Sequence, residues 1–158
     1  MTAQEIIDSL TARFGDAIVE SKPDAMQPWI RIAPDRIQEV GRFLHDDLAL
    51  RMDYLSSLSG MDYNNGQLGV VYHLQSLVHK HRIVLKVSVP KEQAHVPTVS
   101  GVWGTANWHE REAFDLFGIV FDGHPDPRRI LLPDDWEGHP LRKDYQVQEF
   151  YHGMKVPY

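Results

Sequence analysis

Residues 52–90 restrict the possible folds more than any other part of this chain. The stretch holds three strand candidates in succession, "MDYLSSLSGMDY", "QLGVVYHLQSLV" and "HRIVLKVSVP". Asn64-Asn65-Gly66 joins the first two, and Asn-Gly turns favour tight hairpins because they tolerate positive φ. The short His79-Lys80-His81 run leads into the third. In that strand Ile83, Leu85, Val87 and Val89 alternate with Val84, Lys86 and Ser88, giving one apolar and one mixed face. The expectation is an antiparallel meander whose apolar face is buried under a second layer.

Helices supply that layer. Thr2 to Phe14 predicts a helix with Thr2 as cap and Glu5 completing a capping box. Ile6, Ile7, Leu10 and Phe14 form its stripe, and Gly15 ends it. "DAIVESKP" and "PWIRIAP" predict two short strands. Asp35 is expected to cap a second helix, with Ile37, Val40, Phe43, Leu44 and Leu48 inward. Val96 to Gly118 is the third helix candidate. The predicted order is α-β-β-α-β-β-β-α, a two-layer α+β domain over residues 1–118, with helices packed on a mainly antiparallel sheet. An extended segment, 119–158, follows. It holds half of the ten prolines and six aromatics, Phe121, Trp136, Tyr145, Phe150, Tyr151 and Tyr158. Disordered tails are poor in aromatics, so this one is expected to lie bound, over its own domain or over a partner.

Composition removes several function classes. The chain has no cysteine, hence no disulfide, thiolate metal site, iron–sulfur ligation or thiol nucleophile. A net charge of −6 argues against a general nucleic-acid binder. "MTAQEIIDSLTARFG" lacks the basic flank and apolar run of a signal peptide, and no apolar window is long enough to span a bilayer. Any membrane association is expected to run through other subunits. No Gly-rich phosphate loop follows a strand, since "SGVWG" departs from the dinucleotide fingerprint.

Chemistry-bearing residues concentrate between Asn107 and Tyr145. On a helical wheel Val99, Val102, Ala106, Ala113 and Phe117 share a stripe, and Glu110 falls in its middle. A buried carboxylate needs a partner, and Arg128, Arg129 and Arg142 are the candidates. One reading makes Glu110 a general acid or base, in a hydrolase with His109 and Asp115. The other, which the missing nucleophile favours, makes it a structural clamp. Trp108, Arg111, Glu112 and Asp115 fall on the opposite face. That mixture suits a partner surface or a Trp covered by the chain's own tail. His73, His79, His81, His109, His124 and His139 raise a metal question only weakly, because position 113 is Ala where a zinc-protease helix needs a second His. Pro125 and Pro127 stiffen the bend before Arg128 and Arg129, a pair that could also meet phosphate or a lipid headgroup. Pro140, Arg142, Lys143, Asp144 and Tyr145 repeat that order of proline, basic pair, acid and aromatic.

The string Glu110-Arg111-Glu112, Asp115-Leu116-Phe117, His124 and Arg128-Arg129-Ile130-Leu131, followed by "WEGHPLRKDY" from Trp136, resembles the signature of one family. It is the 30-kDa subunit of respiratory complex I, the C-type subunit of bacterial NADH-quinone oxidoreductase. The likeness is close over about 39 residues. It implies a cofactor-free subunit of the hydrophilic arm, packed on the quinone-reducing 49-kDa-type (D-type) subunit, with FMN and Fe–S clusters in neighbouring chains. It also implies a proton-pumping enzyme overall and a peripheral place at the cytoplasmic side of a prokaryotic inner membrane. The signature residues, including Trp108, Pro125 and Trp136, would then be structural or interfacial. Similar segments occur in ferredoxin-dependent photosynthetic complexes and membrane-bound hydrogenases, so the string leaves the electron donor open.

Overall fold

A computed structural model describes residues 1–156; Tyr158, counted above among the tail aromatics, lies outside them. The helices are α1 (Ala3–Phe14), α2 (Ile37–Asp46) and α3 (Ala106–Phe117). The strands are β1 (Ile18–Lys22), β2 (Trp29–Ile32), β3 (Tyr54–Asp62), β4 (Gln67–Gln75), β5 (Arg82–Pro90), β6 (His95–Pro97), β7 (Val120–Asp122), β8 (Phe150–Tyr151) and β9 (Met154–Lys155).

Five strands form one sheet in the order β1-β2-β5-β4-β3. The β3–β4–β5 meander is antiparallel, as the alternation requires, and β1 pairs antiparallel with β2. The β2–β5 join is parallel, so the sheet is mainly rather than wholly antiparallel. Cross-strand partners share a face. Leu58, Tyr72 and Leu85 lie in one row, and Val70 and Val87 in the next. These side chains are at most 3% exposed, and they carry the core under the helices.

The helix α1 has the expected capping box. Glu5 N donates to Thr2 Oγ1 at 3.2 Å and Thr2 N donates to Glu5 Oε2 at 2.7 Å. Ile6, Ile7, Leu10 and Phe14 are buried. Two expectations for α2 fail. Asp35 lies inside a 3-10 turn, Pro34–Arg36, and among the described residues no side chain caps the helix. Leu48 is 83% exposed, because α2 stops at Asp46 before the periodicity reaches it.

The third helix is shorter than the expected 96–118. Val96 is in a strand paired with Phe121, and turns containing Gly101 and Gly104 separate that strand from α3. Three residues within 97–104, Pro97, Gly101 and Gly104, disfavour helix, which accounts for the late start. Close packing then seats the helix layer. A Cβ at Gly60 of β3 would stand 2.5 Å from the Phe117 ring, and one at Gly41 would stand 3.1 Å from Trp103. The core also continues past residue 118, since Ile119 is wholly buried and Phe121 is 5% exposed.

Candidate interface site on the third helix

Two side chains of α3 one turn apart, Arg111 and Asp115, hold the backbone of the segment that follows. Arg111 Nε donates to the carbonyl of Arg128 at 3.1 Å, and Nη2 to that of Arg129 at 3.0 Å. Asp115 Oδ2 accepts from the amides of Ile130, Leu131 and Leu132 at 3.1, 2.7 and 2.9 Å. Arg129 completes the clamp with Nη1 2.9 Å from Asp115 Oδ1, while its Nη2 donates to the carbonyls of Trp136 and Gly138. Burial pushes the Asp115 carboxyl up, but the three amides and the guanidinium outweigh burial and hold it below the usual carboxylate range.

The same segment, a strap over the helix end, satisfies α3's last carbonyls. Helix termini leave such groups without intrahelical partners. Arg129 and His139 Nδ1 both reach Asp115 O, Leu141 N donates to Leu116 O at 3.0 Å, and Arg142 Nε donates to Phe117 O at 2.5 Å. Two guanidinium groups at a helix C-terminus also suit the helix dipole. Gly118 turns the chain out at φ +73°, and a Cβ there would meet the His139 ring at 2.5 Å.

Asp115 is therefore not on an outer charged face with Trp108 and Glu112, as the wheel suggested, but wholly buried beneath the strap. Glu110 departs from expectation in the other direction. Its burial is complete, as predicted, but none of Arg128, Arg129 and Arg142 is its partner. Thr98 Oγ1 donates to Glu110 Oε2 at 2.5 Å and Val99 N donates to Oε1 at 2.8 Å. The three arginines go elsewhere: Arg128 to Asp126, Arg129 to Asp115, Arg142 to the Phe117 carbonyl. Glu110 and Asp115 stand about 140° apart on the helix, so one arm of the chain cannot serve both. Burial raises the Glu110 carboxyl, and the Thr98 and Val99 bonds and nearby His124 only partly oppose it.

His124 bridges the two regions. Its Nδ1 lies 2.9 Å from the Asp126 amide nitrogen, and its Nε2 lies 2.9 Å from Asn107 O and 3.7 Å from Glu110 Oε2. Pro125 is exposed and Pro140 half-buried. Further along the strap, Trp136 Nε1 donates to Tyr145 Oη at 3.2 Å and its ring lies 5.1 Å from Tyr151. The amide of Lys143 donates to Asp62 Oδ2 at 2.9 Å, and Lys91 sits between Asp62, at 2.9 Å, and Asp144, at 3.4 Å. Sequence reasoning missed Asp62, Lys91 and Thr98. Asp62 had a local signal, because an Asp two residues before Asn64 can accept that residue's amide in a turn, and it does at 2.8 Å.

A strap pinned this way presents its other side outward. Trp108 is 61% exposed beside Arg111, whose guanidinium lies 5.1 Å from the ring centroid. Glu112 is exposed. Leu131, Leu141, Val147, Phe150 and Met154 are each more than half exposed. The hydrolase trio does not converge. His109 makes no hydrogen bond to Glu110 or Asp115 among the described residues, and the cavity beside Glu110, about 20 Å³, holds at most one water. His79 and His81 stack at 5.5 Å and bond the Leu48 and Leu50 carbonyls. Among the described residues no three His, Cys, Asp or Glu side chains converge on a metal position.

Comparison with known proteins bears on the same elements. Residues 30–151 match the family described as the respiratory-chain NADH dehydrogenase, 30 Kd subunit. The C-type subunit of NADH-quinone oxidoreductase from Chloroherpeton thalassium is 52% identical over 92% of this chain, which spans 62% of that protein's length. The corresponding protein of Chlorobium phaeobacteroides is 46% identical over 96% of this chain and 93% of its own. Among solved structures, a trypsin-resistant fragment of Nqo5 matches with a TM-score of 0.65 and 30% identity, over 80% of this chain and 99% of the fragment. A chain of an archaeal membrane-bound sulfane sulfur reductase shares the fold, with a TM-score of 0.77 at 23% identity over 93% of this chain and 87% of its own.

Proposed function

The chain belongs to the 30-kDa subunit family of respiratory-chain NADH dehydrogenase, and on that premise we propose that it is a non-redox subunit of a proton-translocating NADH:quinone oxidoreductase. Its work is to hold neighbouring subunits in register, foremost the quinone-reducing 49-kDa-type subunit. Electrons pass from NADH to quinone through FMN and Fe–S clusters in other chains. The complex carries this chain at the cytoplasmic side of the membrane. No helix among the described residues is long and apolar enough to cross a bilayer.

The observation that carries the reading is the use of the signature residues. Arg111, Asp115, Arg129 and Arg142 bind backbone of their own chain, so none is free to act on a substrate. They pin residues 124–145 as a strap, from which Leu131 and Leu141 face out, while Trp108 faces out from α3. An exposed Trp is a typical anchor of a protein interface. The test is to purify the chain alone and measure iron, flavin and NADH oxidation, then to add it to membranes lacking it. The reading requires no cofactor and no turnover in the isolated chain, and restored NADH:quinone activity in the membranes. Turnover or stoichiometric cofactor in the isolated chain overturns it.

A further inference from the structure

The helices cover one face of the five-stranded sheet, and the register places four cations on the other. Lys22 lies opposite Trp29, Arg31 opposite Glu20, Lys86 beside Arg31, and Arg82 opposite Gln75. Glu20 is the one carboxylate in these rows, and Arg31 holds it at 3.2 Å. The face also carries Trp29, His73, Val71, Val84 and the serines Ser57, Ser59 and Ser88, with Tyr63 over Gly69, and at its β3 edge the exposed Tyr54 and Met61. A basic face stands out on a chain whose net charge is −6. Lys86 Nζ and the Arg31 guanidinium lie 4.1 and 5.4 Å from the Trp29 ring centroid, so the cations sit on an aromatic platform.

This face is also incompletely hydrogen-bonded. Arg31 Nε and His73 Nδ1 are screened from solvent and have no protein partner among the described residues, and neither does Tyr63 Oη. Leaving buried polar nitrogens unpaired is costly, which favours a state in which something else engages them. Beside His73 a cleft of about 120 Å³ opens between Gln27, Pro28, Gln75, Arg82 and Val84. It has room for one carboxylate side chain rather than a nucleotide.

We propose that the helix-free sheet face docks an acidic segment of a second protein subunit, with a carboxylate seated between His73 and Arg82 and others paired with Lys22 and Lys86. The proposal rests on the reading that the chain works inside a complex, and it assigns that complex a contact separate from the strap. Charge complementarity selects the partner's acidity, because like charges across an interface are repelled while opposite ones fix the register. The net negative charge of the whole chain and the small cleft favour a polypeptide over nucleic acid.

The experiment is zero-length carbodiimide crosslinking, which joins a lysine only to a carboxylate in direct contact. It is run on the complex isolated through this chain, beside amine acetylation of complex and isolated chain. Expected are amide links from Lys22 or Lys86 to Asp or Glu of another subunit, loss of acetylation at Lys22 in the complex, and loss of the links in Lys22→Glu/Lys86→Glu. Free acetylation of Lys22 within the complex overturns the proposal. So does protection that disappears on delipidation or nuclease treatment, which assigns the face to lipid headgroups or nucleic acid. Failure to isolate any complex counts instead against the subunit reading, so the two failures are distinguishable.

Discussion

Arg129 Nη1 lies 2.9 Å from Asp115 Oδ1, and the carboxylate it meets is wholly buried while accepting three consecutive backbone amides. One acid thereby joins the C-terminal turn of α3 to the strap that crosses it. Its position turns a sequence signature into a mechanical part.

Asp115→Ala leaves three amides unpaired and removes the carboxylate that faces Arg129, whose guanidinium keeps only backbone carbonyls. Removing one member of a buried pair costs about 3–5 kcal/mol, so the strap should detach before the sheet unfolds. Limited proteolysis should then cut between residues 124 and 145, and Asp115→Asn, which keeps the acceptor oxygen, should cut more slowly. Equal resistance of all three proteins would mean that the clamp does not hold the strap.

Asp62 ties the strap to the β3–β4 turn. Burial pushes its carboxyl up, but the Lys143 and Asn64 amides and the Lys91 ammonium outweigh that and bring it from 3.8 to about 2. A lowered folded value means that its stability contribution is present above the unfolded value and lost as pH falls towards about 2. The shift corresponds to about 2 kcal/mol. Denaturant unfolding of Asp62→Asn should show that loss at neutral pH and a smaller further loss on acidification than the parent.

Glu110 runs with the opposite sign. Its raised carboxyl favours the protonated folded state, so its contribution is greatest below the ordinary carboxylate value and is lost as pH rises through the folded value. Glu110→Gln keeps an acceptor for Val99 N and a donor towards Thr98, and it cannot ionise. Its stability relative to the parent should therefore rise with pH once pH passes the ordinary carboxylate range. A flat difference above that range would remove Glu110 as a titrating group.

Trp108→Ala separates stability from assembly. At 61% exposure the side chain contributes little to the isolated fold, and surface changes of this kind fall within about 0.5 kcal/mol. Loss of an interface anchor costs about 2 kcal/mol or more. The isolated variant should melt like the parent while its complex dissociates at lower detergent or salt. Unchanged assembly would take Trp108 out of the interface.

Much of the frame was legible. Alternation in 82–90 gave the strand and its buried face, Asn65-Gly66 gave the hairpin, and Thr2 with Glu5 gave the cap on α1. Helix ends were less so. The periodicity around Val99 and Val102 extended α3 too far, because both side chains pack against the same core from a turn. Leu48 failed for the same reason, since a matching period does not require the helix to continue.

The chain alone determined that Glu110 would be buried, that Arg128, Arg129 and Arg142 would follow on a stiff, Pro-rich path, and that no thiolate chemistry was available. Only the tertiary structure decided which carboxylate met which donors. Residue types display guanidinium groups, but the donors that satisfy Glu110 and most of those at Asp115 are a hydroxyl and backbone amides, which every non-proline residue carries. A pattern of side chains can show that a buried charge needs partners. Which amides arrive depends on where the folded chain passes.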